Sequence, residues 1–190
     1  MKQKLTIVTG NKLKFKELSA ALSEYFDCDQ ESIGIHEIQG SPDMVFTYKM
    51  NACFRKFNKP VLVDDTSFHL SSLNGFPGPY IKDFLTAFKS WQIGQRFDGD
   101  RVKIVCRIGI CFGANDFVFG MGELDGTITG SSLRNDLGTE FDLIVTPDGK
   151  DKLMIDYSTE EKNQFSHRGK AVQDVLQKLK EREEKIALKA

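Results

Sequence analysis

The sequence predicts an α/β protein in which βα units lead into a long antiparallel hairpin, and three stretches carry this expectation. Residues 5–9, LTIVT, run into Gly10-Asn11-Lys12, after which Phe15, Leu18, Leu22 and Tyr25/Phe26 recur at helical spacing. Val61-Leu62-Val63, opened by Pro60, is a short, wholly apolar run of the kind found in strands buried on both faces. Residues 102–112 alternate, putting Val102, Ile104, Cys106, Ile108, Ile110 and Phe112 on one face. A turn over residues 113–116 then returns the chain through residues 117–124.

The remaining elements follow in order. Residues 33–38 read as a second short strand, and Ser41-Pro42-Asp43 as a helix start, with Val45, Tyr48 and Ala52 on one side and Lys49 near the middle. Gly75-Phe76-Pro77-Gly78-Pro79-Tyr80 is a stiff loop from which Lys82 emerges at the start of another helix carrying Phe84, Leu85 and Phe88. Residues 90–100 read as loop. The long hairpin arms suggest a second sheet or lobe. Residues 141–145 read as a short strand closed by the Pro147-Asp148-Gly149 turn. Ser158 and Glu161 form a capping box, and a last helix after Ser166-His167-Arg168-Gly169 puts Ala171, Val172, Val175, Leu176 and Leu179 on one face.

Composition bounds the function. The 190 residues, 40% hydrophobic and 28% charged, suit one domain over residues 1–190 with a real core. A net charge of −1 argues against nucleic acid or an anionic membrane as a partner held by bulk electrostatics. There is no apolar run of about 18 residues to span a bilayer, and the apolar run after MKQK is too short for a secretory signal. Cys28, Cys53, Cys106 and Cys111 have no CxxC spacing, so free thiols in a reducing cytosol are expected.

The chemistry concentrates at residues 61–84. Asp64 and Asp65 follow a buried run that stops at them, and two adjacent carboxylates there are costly to desolvate without a cation. Ligands of open α/β sheets lie beyond strand carboxyl ends. The turn at Gly10-Asn11, with Lys12, Lys14 and Lys16 nearby, offers helix N–H groups to an anion. The gathered candidates are Lys14, Glu37, Lys49, Asp64, Asp65, Lys82, Lys162, Ser166, His167 and Arg168, a set that suits a triphosphate and Mg²⁺, a hard ion preferring oxygen ligands. A carboxylate beside such an ion orients or deprotonates water for in-line attack on phosphorus. Plainer roles also fit: Asp64 and Asp65 as turn caps, Ser166 as a helix cap, His167-Arg168 as a surface pair and Lys49 on a solvated face.

TGNKLK, EIQGSPD, VLVDDTSF, LNGFPGPYIKDF and EKNQFSHRGKA occur in this order over roughly residues 5–179. Together they resemble the inosine triphosphate pyrophosphatases, the Ham1/RdgB-like enzymes. The resemblance implies an elongated, two-lobed α/β fold with a central mixed sheet flanked by helices, a cleft between the lobes, and a homodimer in the cytoplasm. It implies Mg²⁺-dependent hydrolysis of ITP, dITP and XTP to monophosphate and pyrophosphate, with Mn²⁺ as a substitute ion. By motif, Thr9, Asn11, Lys14 and Lys82 would hold phosphate. Glu37, Asp64 and Asp65 would hold the metal, and Asp65 and Lys49 would be catalytic. Phe141, Asp142, Lys162, Ser166, His167 and Arg168 would face the base, with His167 and Arg168 reading its 6-oxo group.

One segment departs from the family pattern. Where FGWDP or FGYDP is usual, this chain has Gly138-Thr139-Glu140-Phe141-Asp142-Leu143. Thr139 and Glu140 replace the first aromatic and the glycine, and Leu143 replaces the proline. A stacked ring contributes roughly 1–3 kcal/mol per base, so two further readings stand beside the first: a pyrophosphatase of broadened base preference, and a non-catalytic nucleotide-binding module.

Overall fold

The computed structural model describes residues 2–35, 38–113, 116–130 and 140–187. Strand β1 (Gln3–Val8) leads into α1 (Lys12–Leu22), β2 (Phe26–Glu31), α2 (Pro42–Phe57) and β3 (Val61–Leu70). After the two-residue β4 (Pro77–Gly78) come α3 (Ile81–Ala87), α4 (Ser90–Arg96), the hairpin β5 (Arg101–Gly113) and β6 (Asp116–Ile128), then β7 (Val145–Pro147), α5 (Thr159–Phe165) and α6 (His167–Ala187). The strands form one mixed sheet in the order β2-β1-β3-β5-β6-β7, with β4 added beside β3. The α/β class and the mixed sheet flanked by helices are as the sequence and its resemblance imply.

Several local expectations are corrected. The second strand is β2, in parallel register with β1 from Gln3–Phe26 to Val8–Glu31, and residues 33–35 and 38 form no strand. Only Phe26 of β2 is buried, so this charged edge strand has no alternating pattern to read, and Phe26 belongs to it rather than to the first helix. Of residues 33–38, His36 and Glu37 lie outside the described residues. Residues 90–100 hold α4, a short helix fixed by a single buried anchor, Ile93, which is too little periodicity to announce it. The hairpin starts no second sheet: β5 pairs with β3 from Val61–Cys111 to Leu70–Val102. Residues 140–143 form a 3₁₀ turn, and the strand begins at Val145.

The buried side chains of the described residues gather in three cores. On one face of the sheet, α1 and α6 cover Leu5, Ile7, Leu62, Cys106, Ile108 and Ile110. Farther along that face, Phe68, Leu70, Val102, Ile104, Leu124 and Ile128 pack with Ile81, Phe84, Ile93, Phe141 and Met154. On β3 the two cores are separated by Asp64 and Thr66, whose side chains share the face of Leu62 and Phe68 by strand alternation. The opposite face carries Val8, Val61, Val63 and Cys111 under Phe46, Met50 and Cys53, all three on α2, the helix that carries Lys49. Gly120 and Gly122 of β6 let α6 approach by its backbone. A Cβ at Gly122 would lie 2.2 Å from the His167 carbonyl oxygen, and one at Gly120 2.4 Å from that of Ala171. This contact fixes the start of α6.

Candidate functional site

The site lies at a notch in the edge of the sheet. Parallel β1 pairs with β3 at Thr6–Val61 and Ile7–Leu62, and β4 pairs with it at Phe68–Gly78 and His69–Pro77. Between these contacts, Asp64 to Ser67 has no strand on that side among the described residues. Strand β3 therefore does not end at the acid pair, as the sequence suggested; it runs through it, and among the described residues no strand pairs with it there on one edge. An exposed strand edge presents unpaired backbone groups, and Lys49 of α2 uses one of them, donating from Nζ to the Asp64 carbonyl at 2.8 Å.

Because successive side chains of a strand point to opposite faces, the two carboxylates have different partners. Asp64 meets Lys14 of α1, Nζ to Oδ2 at 2.9 Å, while Asp65 meets Lys49, Nζ to Oδ1 at 3.2 Å. Burial alone would raise the Asp64 pKa, but Lys14, Arg168 and Lys49 outweigh it and hold the carboxyl well below the usual range. For Asp65 burial wins over Lys49 and Lys14, and its carboxyl sits above the ordinary value. Adjacent acids with environments that push them apart are a recurrent feature of acid–base sites.

A cleft of about 760 Å³ opens at this notch. Thr9, Asn11, Lys14, Lys49, Asp64, Asp65, Lys82 and Phe141 all line it. Asn11 is also the cap of α1, its Oδ1 accepting from the N–H groups of Leu13 at 2.9 Å and Lys14 at 3.2 Å, and its own N–H donates to Thr9 Oγ1 at 3.1 Å. Capping thus sets the helix direction that carries Lys14 toward Asp64. Among the described residues, the carboxylates on the cleft wall are Asp64 and Asp65. Glu37 lies outside the described residues, as do Gly138 and Thr139.

The other sequence candidates form a layer behind that wall. Asp142, Ser166, His167 and Arg168 are buried. Lys162 bridges Glu17 at 2.8 Å and Asp142 at 3.1 Å; Arg168 bonds Glu17 and stands 3.6 Å from Asp64. The result is a continuous chain of alternating charge, Asp142–Lys162–Glu17–Arg168–Asp64–Lys14. Burial lowers the Lys162 and Arg168 pKa values, yet the carboxylates overcome it and raise both. Ser166 caps α6, accepting from the Gly169 N–H at 3.1 Å. His167 packs its ring 5.9 Å from that of Phe141, and neither ring nitrogen has a hydrogen-bond partner among the described residues. Its burial, with Arg168 and Lys14 nearby, holds its pKa well below the usual value, so the ring is neutral. Phe141 therefore stands between the open cleft and His167.

Glu17 is the residue that sequence reasoning missed. Its signal was present, since Lys14, Glu17 and Leu18 are spaced i, i+3, i+4 and so share the helix face that meets the core. A charge inside an apolar stripe calls for a buried partner.

Comparison with known proteins places this geometry. The sequence is 37% identical over 173 residues to the inosine triphosphate pyrophosphatase of Encephalitozoon intestinalis, covering 87% of each chain. It is 35% identical over 181 residues to the protein of that name from Phaeosphaeria nodorum, covering 93% of this chain and 92% of the relative. Among solved structures, a HAM1 protein from Coxiella burnetii superposes with a TM-score of 0.77 at 18% identity, over 94% of this chain and 99% of the other. The Staphylococcus aureus Ham1 protein gives 0.68 at 23% identity, over 95% and 100%. These two support the fold. The sequence signature of the Ham1 family matches residues 5–178, and on that match and those relatives the chain belongs to the Ham1 family.

Proposed function

We propose that this chain is a nucleoside triphosphate pyrophosphatase that hydrolyses ITP, dITP and XTP to the nucleoside monophosphate and pyrophosphate, clearing deaminated purine nucleotides from the pool. The observation that carries the reading is the notch: two adjacent carboxylates, each tethered to a lysine from a different helix, at the wall of one cleft. Relatives bearing the name inosine triphosphate pyrophosphatase at 35–37% identity support it.

In the proposed reaction, a water oxygen attacks the α-phosphorus, the bond from that phosphorus to the α,β-bridging oxygen breaks, and pyrophosphate leaves. Asp65 orients the water and takes its proton, while Lys49, bonded to Asp65 Oδ1, holds the carboxylate in place. Lys14 and Lys82 balance charge on the phosphate oxygens, and Thr9 and Asn11 hold the phosphate at the α1 start. The Asp65 carboxylate, partly exposed on the cleft wall, fits a hard ion that keeps several waters; Glu37 would join it, and Asp64, buried against Lys14 and Arg168, would add its negative charge from the other face of the strand. Mg²⁺, or Mn²⁺ in its place, would supply charge neutralisation at the phosphates.

Phe141 is the base-side wall, and behind it Lys162, Ser166, His167 and Arg168 are the donors for a 6-oxo purine, with Asp142 accepting from Lys162. A keto oxygen satisfies such donors, whereas adenine's amino group leaves them unpaired, a difference worth several kcal/mol. We further propose a cytoplasmic homodimer, for which the exposed row Phe117, Phe119 and Met121 on β6 is an available apolar surface. A second reading, a broadened base preference, is favoured by Thr139 and Glu140 in place of the family's aromatic and glycine.

The test is product analysis with ITP, XTP, dUTP, GTP and ATP in the presence of Mg²⁺. Monophosphate and pyrophosphate from ITP and XTP, far ahead of GTP and ATP, are expected. Equal turnover of all five would refute the base specificity, and release of inorganic phosphate instead of pyrophosphate would refute the reaction.

A further inference from the structure

The cleft carries a cation that the account so far does not use. Lys14 and Lys49 each face a carboxylate, at 2.9 and 3.2 Å, so much of their charge is matched before any substrate arrives. Lys89 also lines the cleft, and its ammonium makes no ion pair among the described residues. Its main chain is nevertheless fixed. The Lys89 N–H donates to Gln92 Oε1 at 2.9 Å, and its carbonyl accepts from the N–H groups of Gln92 at 2.9 Å and Ile93 at 3.1 Å. Ile93 is anchored in the core beneath. Lys89 thus extends a wall that α3 begins with Lys82, Leu85 and Thr86, at i, i+3 and i+4 on one helix face.

An unmatched cation carried by a fixed stretch of main chain on a cleft wall suits the most highly charged part of an incoming ligand. In ITP the base is uncharged at neutral pH, and most of the charge resides on the β- and γ-phosphates, which depart together. We propose that Lys89 is a further substrate-binding residue that takes these distal phosphates and then the released pyrophosphate, an assignment that rests on the pyrophosphatase reading above.

The experiment is calorimetric binding of inorganic pyrophosphate, with Mg²⁺, to the full chain and to its Lys89→Gln and Lys89→Arg variants, with inosine monophosphate as the second probe. Loss of one charge-assisted contact weakens pyrophosphate binding by about tenfold in Lys89→Gln. Lys89→Arg stays within about twofold of the parent, and monophosphate affinity is unchanged in both variants, because one lost contact alters one probe. Pyrophosphate affinity in Lys89→Gln equal to the parent's, in a protein that does release pyrophosphate from ITP, overturns the Lys89 assignment alone. Equal weakening of both probes overturns it as well, by removing the selectivity for the leaving end. A parent that neither hydrolyses ITP nor binds pyrophosphate overturns the functional reading and this inference together.

Discussion

Replacing Glu17 by Gln probes the buried layer while leaving the cleft wall untouched. Glu17 is buried, and its carboxylate serves two cations, bonding Arg168 and standing 2.8 Å from Lys162. Removing one partner of a buried ion pair costs about 3–5 kcal/mol, because the remaining charge is left without compensation. Here each orphaned cation keeps one acid, Lys162 retaining Asp142 at 3.1 Å and Arg168 retaining Asp64 at 3.6 Å. The expected loss is therefore near the lower end, about 3 kcal/mol. For a chain of this size that corresponds to a fall in Tm of about 6–12 °C.

Urea titration with the m-value held in common measures the loss. It has a pH signature: burial raises the Glu17 pKa, but Arg168 and Lys162 outweigh it, so the folded-state value lies below the ordinary 4.5. A carboxylate of depressed pKa stabilises the fold above its unfolded value and stops doing so as pH falls through the folded one. The gap between parent and Glu17→Gln should accordingly be full above about pH 5 and narrow below 4.5. In a double variant with Arg168→Met, the losses should be sub-additive by at least about 1 kcal/mol, since the second change removes the charge that the first one stranded. A loss under about 1 kcal/mol, or one independent of pH, would refute the claim that this chain of charges is an energetic unit.

Three other outcomes are expected. Asp65→Asn should lower kcat on ITP by about 10²–10⁴-fold with an unchanged urea midpoint, and activity close to the parent's would remove Asp65 from the reaction. Gly122→Ala should destabilise by about 1–3 kcal/mol in thermal melts, because the added methyl would start 2.2 Å from the His167 carbonyl oxygen; a neutral result would mean that α6 is not seated on β6 as described. His167, buried and neutral with a depressed pKa, should make the protein lose stability as pH drops below the ordinary value of 6.5, by up to about 1.4 kcal/mol per pH unit until the folded-state value is reached. His167→Gln should flatten that acid limb, and an unchanged slope between pH 6.5 and 5 would contradict the assignment.

What the sequence determined by itself was whatever is written in local patterns. The alternation of β5, the capping box at Ser158 and Glu161, the Ser41-Pro42 helix start and the ordered motifs from TGNKLK to SHRGKA each reside in a few contiguous residues, and each was legible. So were the charged residues that line the cleft, because Asp64-Asp65 and the lysines stand in the sequence whatever the backbone does. The tertiary structure decided the rest, since it depends on which residues meet across long separations. Only strand pairing reveals that β1 and β4 leave part of β3 bare, turning an apparent strand end into a notch. Only alternation along a strand known to continue separates Asp64 from Asp65 onto opposite faces, giving one to Lys14 and the other to Lys49. Glu17 and Arg168 are 151 positions apart, and no spacing rule reaches that far; packing of α1 and α6 on the same face of the sheet brings them together.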